Sequence, residues 1–331
     1  MAAARARRTV RLKTAKGTRR VRLPRPGPRR PSPGSPVDLL EALAAAVEDR
    51  ARRFRRRVRC GIPIGRARID KSVHDLRTSA RRLLAALEGL RPFVERKRHR
   101  RLRRRIERVL DRSGGLRDVG VELQMLSALG NDEATAALRP LRERLRDKHE
   151  ALARKLHRQL RRRGARRLRR DIRRVLEGSG RKRSAAAASV RSAAHEAARD
   201  GFSRLRKSRL AVSPAELDTI HRMRIDLKEF RYLMEALRPV AGGVSGRELE
   251  SLHRLQTTMG DLHDLEVLSS TVARHVSRVQ PDAATQAAAV LQSLEERHSA
   301  LLTSFLEAVD PILDSWERIL ASRRRWTKKP A

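Results

Sequence analysis

Apolar residues recur along most of the chain with the spacing of amphipathic helices. One such segment begins at Val73. On a helical projection of about 100° per residue, its apolar side chains share an arc of roughly 120°. The members of this arc are Leu76, Ala80, Leu83, Leu84, Leu87 and Leu90. Similar segments follow one another, separated by breaks that contain Gly or Pro, such as Gly61-Ile62-Pro63 and Ser113-Gly114-Gly115. The pattern predicts an all-α fold.

The breaks predict four parts of the chain. Residues 1–36 are an Arg- and Pro-rich arm with little to bury, expected to be disordered or extended. Residues 37–178 and 184–322 form two helical halves of about four main helices each, and residues 323–331 form a basic tail. Within the second half, the predicted helices are 245–259, 262–279, 283–308 and 311–322, with a break at Gly260.

The two halves repeat each other. Val73-His74-Asp75-Leu76-Arg77 matches Ile220-His221-Arg222-Met223-Arg224, which lies 147 residues later. A second block, in which Leu116-Arg117-Asp118 matches Leu262-His263-Asp264, has an offset of 146. Position-matched His, Asp and Gly residues in two blocks indicate a duplicated helical unit.

Each repeat carries a row of cations on the flank of its apolar arc. These residues are His74, Arg77 and Arg81 in the first repeat and His221, Arg224 and Lys228 in the second. Residues four apart lie ~6 Å apart along a helix axis, so two facing rows would form a groove that fits a linear polyanion. Arg231 lies nearer the apolar arc, and Glu235 is expected to pair with it at i,i+4. A solvated helix face is the alternative interpretation, and recurrence in register favours the shared groove.

Three further residues of the second block have structural or binding interpretations. Asp118 and Asp264 each follow a Gly turn, so we expect them to cap a helix or to hold an Arg in place, rather than to act in acid–base chemistry. Arg117 fits either a structural or an anion-binding role.

The net charge of the chain indicates the chemical class of its expected partner. The chain has 79 Lys and Arg against 38 Asp and Glu, a formal net charge of +41, and only 12 of those cations lie in residues 1–36. A folded region this basic favours a phosphate-rich partner.

The chain contains a single cysteine, Cys60, which excludes an internal disulfide framework. We find neither a transmembrane stretch nor a secretory signal, and expect a cytoplasmic protein that does not bind membranes.

The motifs resemble those of the CHAD domain, the conserved histidine α-helical domain. The resemblance rests on His74-x-x-Arg77-x-x-x-Arg81-Arg82-Leu83 and Leu116-Arg117-Asp118 in the first half. In the second half it rests on His221-Arg222-Met223-Arg224-Ile225-x-Leu227-Lys228-x-Phe230-Arg231-Tyr232 and Gly260-Asp261-Leu262-His263-Asp264. It covers roughly residues 38–320.

The resemblance implies two helical bundles with pseudo-twofold symmetry around a basic central groove that binds inorganic polyphosphate. It implies association with polyphosphate granules as well. Carried over by position, the binding residues would be His74, Arg77, Arg81, Arg82, His221, Arg224, Lys228 and Arg231. The resemblance implies no cofactor, and nothing in the sequence resembles the triphosphatase domain that some relatives carry.

Two other classes of function remain as alternatives. Phosphoryl hydrolysis usually needs metal-holding carboxylates, and the repeated stripe offers mainly cations, so we expect no enzyme. Sequence-nonspecific binding to a nucleic-acid backbone is the stronger rival, because a basic helical surface binds phosphodiesters at low salt. Aromatic residues are only 2% of the chain, which argues against stacking on single strands.

Overall fold

The computed structural model describes residues 9–14, 17–22, 36–63, 66–129, 136–161, 164–180, 187–238, 240–241, 244–277 and 281–322. The chain divides into two compact units, Met1–Pro33 and Gly34–Ala331. The first unit contains strand β1 (Thr9–Thr14) paired antiparallel with β2 (Gly17–Arg22), with Val10 opposite Val21. In these residues Thr and Val interleave with Arg and Lys in a strand-favouring pattern, so this part of the arm is extended, one of its two expected conformations, and is paired as a hairpin rather than disordered. Residues 23–35, 181–186 and 323–331 lie outside the described residues.

Ten α-helices are described in the second unit, and the predicted all-α fold is confirmed for it. They are α1 (Pro36–Cys60), α2 (Arg66–Leu90), α3 (Arg96–Arg112), α4 (Gly114–Ala128), α5 (Arg139–Arg161), α6 (Gly164–Gly180), α7 (Ala187–Leu210), α8 (Leu217–Leu237), α9 (Gly246–Val276) and α10 (Pro281–Ala321). None of the described helices combines the length and apolarity needed to cross a bilayer.

Two predicted breaks are wrong, because α9 runs through Gly260 and α10 runs through Pro311. In α9, the buried stripe of Leu255, Met259 and Leu262 continues on both sides of the glycine. This burial outweighs the roughly 1 kcal/mol that a mid-helix glycine costs. The start of α9 is predictable from local sequence, since Ser245 and Glu248 form a reciprocal capping box.

The two halves share one hydrophobic core. The larger buried cluster contains residues from Leu39 in α1 to Leu320 in α10. At its centre, the ring of Phe230 lies 5.5 Å from that of Phe202 and 5.2 Å from that of Trp316. A smaller cluster joins α4, α5, α9 and α10. The helix order is compatible with two related halves, but their apolar faces pack into a single compact unit rather than into separate domains.

Packing across the shared core brings the repeated motifs together. Helix α2 of the first half contacts α8 of the second, and α4 contacts α9. Where α2 and α8 meet, a Cβ on Gly89 would lie only 2.9 Å from Leu237 Cδ2, so the glycine permits a close approach of the two helices. The cationic flanks of α2 and α8 therefore face a common region.

Candidate anion-binding site

Helices α2, α4, α8 and α9 together build a cluster of charged side chains, which we call the central cluster. Its members are Arg77, Arg81, Arg117, Arg224, Lys228, His221, His263, Asp118 and Asp264. All but the exposed Asp118 are half-buried. Five permanent or potential cations and two histidines thus face two carboxylates, and the cluster has an excess of positive charge.

Arg77 is anchored at the junction of α3 and α4. Its Nη1 donates hydrogen bonds to Leu110 O at 2.6 Å and to the hydroxyl of the buried Ser113 at 3.0 Å. Burial and the nearby Arg81 lower the pKa of Arg77 to about 10. Arg77 therefore has a structural role as well as a charge, because it holds α2 against this turn.

In the second repeat, burial lowers the pKa of two cations, Lys228 and Arg224. Burial, with Arg224 and Arg81 adding repulsion, lowers the pKa of Lys228 to about 6. Burial lowers the pKa of Arg224 too, partly offset by Asp264. The Nε of Arg224 is buried and makes no hydrogen bond to any described residue. A cation that is desolvated among other cations favours a bound anion.

Neither carboxylate of the central cluster caps a helix, and Asp264 lies close to an arginine. Asp264 lies in the middle of α9, and its Oδ2 is 3.7 Å from Arg117 Nη2. Helix α4 begins at Gly114 after Ser113, so Asp118 lies inside the helix and the expected capping role is wrong for both residues. The alternative expectation, that such a residue holds an Arg in place, stays a prediction, and the approach of Asp264 to Arg117 is compatible with it. Burial raises the pKa of Asp264, with Arg117 opposing that rise.

Two histidines belong to the central cluster, and a third lies at its edge. The rings of His221 and His263 lie 4.7 Å apart between centroids. Burial and then Arg224 lower the pKa of both, and that of His263 falls to about 4. His74 is exposed at the edge, with Nε2 3.4 Å from Thr78 Oγ1, and burial followed by Arg117 lowers its pKa.

His263 is a site residue that the sequence-based site assignment omitted. The repeat contained the signal, because His263 stands where the first half has Arg117. The duplication therefore placed an imidazole and a guanidinium at equivalent positions of one cluster.

Besides His74 at its edge, two of the predicted binding residues, Arg231 and Arg82, lie outside the central cluster. Arg231 is buried, donates from Nε to Gln256 Oε1 at 2.8 Å and pairs with Glu235, which confirms the expected i,i+4 pair. Its guanidinium lies 4.3 Å from the centroid of the Tyr232 ring. Arg82 lies on a different side of α2, where its Nε is 3.2 Å from Glu235 Oε2. Glu235 thus links the two arginines.

Within the described part of the chain, no group of three or more His, Cys, Asp or Glu side chains is placed to hold a metal ion. The arrangement offers instead a half-buried set of guanidinium, ammonium and imidazole groups.

Comparison with known proteins identifies the class of protein. The family model of the CHAD domain matches residues 42–273, and the chain belongs to this family. The crystal structure of the CHAD domain from the plant Ricinus communis is 22% identical, with a TM-score of 0.57 over 88% of this chain and 93% of that one. PptA from Streptomyces chartreusis is 18% identical, with a TM-score of 0.57 over 84% of this chain and 99% of that one. At these identities the likeness establishes a shared fold. A search among curated proteins finds no match.

Proposed function

We propose that the protein binds inorganic polyphosphate, without catalysis, in the central cluster between its two helical repeats. The observation that carries the proposal is the electrostatic state of the cluster. Burial and mutual repulsion lower the pKa of Lys228 to about 6 and that of Arg77 to about 10. Two carboxylates do not neutralise this set of cations, so a polyanion is the missing counter-charge.

The shape of the set favours a linear partner. The cations lie along two contacting helices, with Arg77 and Arg81 one turn apart on α2 and Arg224 and Lys228 one turn apart on α8. Residues four apart lie about 6 Å apart along the helix axis, roughly the length of two P–O–P links, so every second phosphate of one chain meets a cation. Linked contacts act together, which favours a long chain over single phosphate ions.

Binding without catalysis fits the groups that meet in the cluster. Asp264 is held by Arg117, and burial keeps the pKa of His221 and His263 below the ordinary value for imidazole. Guanidinium and ammonium groups stabilise a phosphate chain but do not deliver water to it.

Nonspecific binding of a nucleic-acid backbone is the second candidate, favoured by a different surface. Helix α3 carries ten Arg and Lys in 17 residues, and α6, which contacts it, carries six in 17. Most of these side chains are exposed. The carboxylate of the buried Asp171 in α6 lies 2.9 Å from Arg105 and 3.4 Å from Arg101 of α3, and this joins the two basic helices. Such a face attracts any phosphodiester backbone in a salt-dependent manner.

A competition assay separates the two candidates. Fluorescently labelled long-chain polyphosphate is bound at ~0.15 M salt, where exposed charges are largely screened, and excess duplex DNA is added. We expect the polyphosphate to stay bound, because the duplex does not reach half-buried cations between α2 and α8. Displacement of the polyphosphate by DNA in proportion to total phosphate would overturn the proposal and favour the α3–α6 surface.

A further inference from the structure

A second basic recess lies beside the central cluster and has no part in the function proposed so far. It is a cavity of about 640 Å³ bounded by α1, α2, α8 and the start of α9, and we call it the arginine cavity. Six arginines line it, namely Arg50, Arg53, Arg56, Arg57, Arg82 and Arg238. Its lining contains three carboxylates, those of Asp49, Asp75 and Glu235. The arginine cavity therefore has an excess of three positive charges.

The carboxylates of the arginine cavity are already engaged. Asp49 lies 2.9 Å from Arg53, and Asp75 of α2 lies 2.9 Å from Arg57 of α1. Glu235 binds Arg82, as described above, and its backbone oxygen accepts a hydrogen bond from Arg50 Nη2 at 3.3 Å. These contacts fix the walls of the cavity.

Two arginines of the cavity are available to a ligand. Arg56 and Arg238 are exposed, and no described residue forms an ion pair or side-chain hydrogen bond with either of them. The volume of the cavity is within the range of small-molecule sites and admits several phosphates of a chain.

The exposed ridge of α2 separates the arginine cavity from the central cluster. Arg81 and Arg82 are consecutive, so their side chains diverge by about 100° around the helix, one into the central cluster and the other into the cavity. His74 and Thr78 lie between them on the helix surface, and Thr78 lines the cavity. The pKa of His74 is lowered by Arg81 and Arg117 on one side of the ridge and by Arg82 on the other. His74 is thus within electrostatic reach of both cation sets.

We propose that a long polyphosphate chain held in the central cluster continues over the His74–Thr78 ridge of α2 into the arginine cavity. This inference rests on the proposed function and extends it, because it predicts a preference for chains long enough to cross a helix. The crossing spans roughly 10–12 Å, the diameter of a helix with its side chains. Tripolyphosphate is too short to occupy both sets of cations and binds the central cluster alone.

The test compares two ligands and three variants. The cavity variant is Arg56→Gln/Arg238→Gln, which removes two exposed arginines and no described ion pair. Its matched control is Arg104→Gln/Arg169→Gln, which removes the same charge from the exposed surfaces of α3 and α6. The third variant, Arg224→Gln/Lys228→Gln, disables the central cluster. Affinities for long-chain polyphosphate and for tripolyphosphate are measured at one salt concentration, and circular dichroism checks that each variant is folded.

We expect the cavity variant to bind long-chain polyphosphate roughly tenfold more weakly and tripolyphosphate unchanged, with the control close to wild type for both ligands. Equal losses in cavity and control variants would overturn the inference, since the effect would then be general charge. So would an unchanged long-chain affinity, or an equal loss of tripolyphosphate in the cavity variant. Failure of the proposed function is distinguishable, because in that case the central variant would keep its affinity for both ligands.

Discussion

Lys228 gives the most direct electrostatic prediction, namely that polyphosphate binding takes up a proton. In the ligand-free protein, burial and the neighbouring Arg224 and Arg81 hold the pKa of Lys228 at about 6, against an ordinary value of 10.5. At pH 7 this side chain is therefore mostly neutral. A phosphate chain placed beside it favours the ammonium form and returns its pKa toward the ordinary range.

The magnitude follows from these pKa values. With a pKa of about 6, Lys228 carries about a tenth of a proton at pH 7, so binding takes up about 0.9 proton at this residue. By linkage, affinity rises as pH falls from 8 toward 6, by up to about tenfold per pH unit from this residue. Below pH 6 Lys228 is protonated in both states, and its contribution to the pH dependence ends.

The assay is isothermal titration calorimetry at pH 7 in two buffers with different ionisation enthalpies, which counts protons taken up on binding. The control is Lys228→Arg, because arginine keeps its charge in both states and does not titrate. Equal proton uptake by wild type and Lys228→Arg, or an affinity independent of pH between 6 and 8, would refute the reasoning.

Three further predictions concern stability, each measured by urea unfolding of the ligand-free protein. Because the pKa of His263 is about 4 in the folded protein, the unfolded chain binds more protons than the folded protein between pH 6.5 and 4. As pH falls through this range, the free energy of unfolding of wild type should decrease by up to about 1.4 kcal/mol per pH unit, and that of His263→Gln should decrease less. Asp171→Asn should cost about 1–2 kcal/mol, chiefly by leaving the half-buried Arg105 without its carboxylate partner, and a loss below about 0.5 kcal/mol would contradict this. Gly89→Ala should destabilise by roughly 1–3 kcal/mol, because its Cβ would contact Leu237, and a gain in stability would be inconsistent with that packing. Gly260→Ala is the matched control, expected to stabilise by about 0.5–1 kcal/mol because a Cβ there meets nothing within 4 Å.

The features that local sequence controls were predictable. Helical periodicity located α2 and α8, and the duplication placed His74 with Arg77 and His221 with Arg224 at equivalent positions. These relations depend on residues three or four apart, which lie on one face of any α-helix. The same geometry predicted the pair of Glu235 with Arg231.

The features that depend on tertiary packing were not predictable. Arg231 is buried because Gln256 of α9 and the ring of Tyr232 complete its surroundings, and α9 is distant in sequence. The continuation of α9 through Gly260 depends on buried leucines on both sides, which outweigh the local preference for a break. The pKa values of Lys228 and His263 likewise depend on cations from several helices.

The arginine cavity could be predicted from sequence in part, and the rest of it depends on tertiary packing. A helical projection of α2 already separates Arg82 from Arg81, so their divergence could have been inferred from sequence. The arginines that line the cavity together with Arg82 could not have been inferred from sequence, since Arg56 is supplied by α1 and Arg238 follows α8 in the other half.

The most direct test of the central claim is the affinity for long-chain polyphosphate of wild type and two charge-matched double variants, measured at ~0.15 M salt. Arg224→Gln/Lys228→Gln removes two half-buried cations of the central cluster, whereas Arg104→Gln/Arg169→Gln removes two exposed cations of α3 and α6. We predict at least about a hundredfold loss for the first pair and less than about threefold for the second, because desolvated charged contacts contribute far more than exposed ones. Equal losses in the two double variants would contradict a specific site between the repeats.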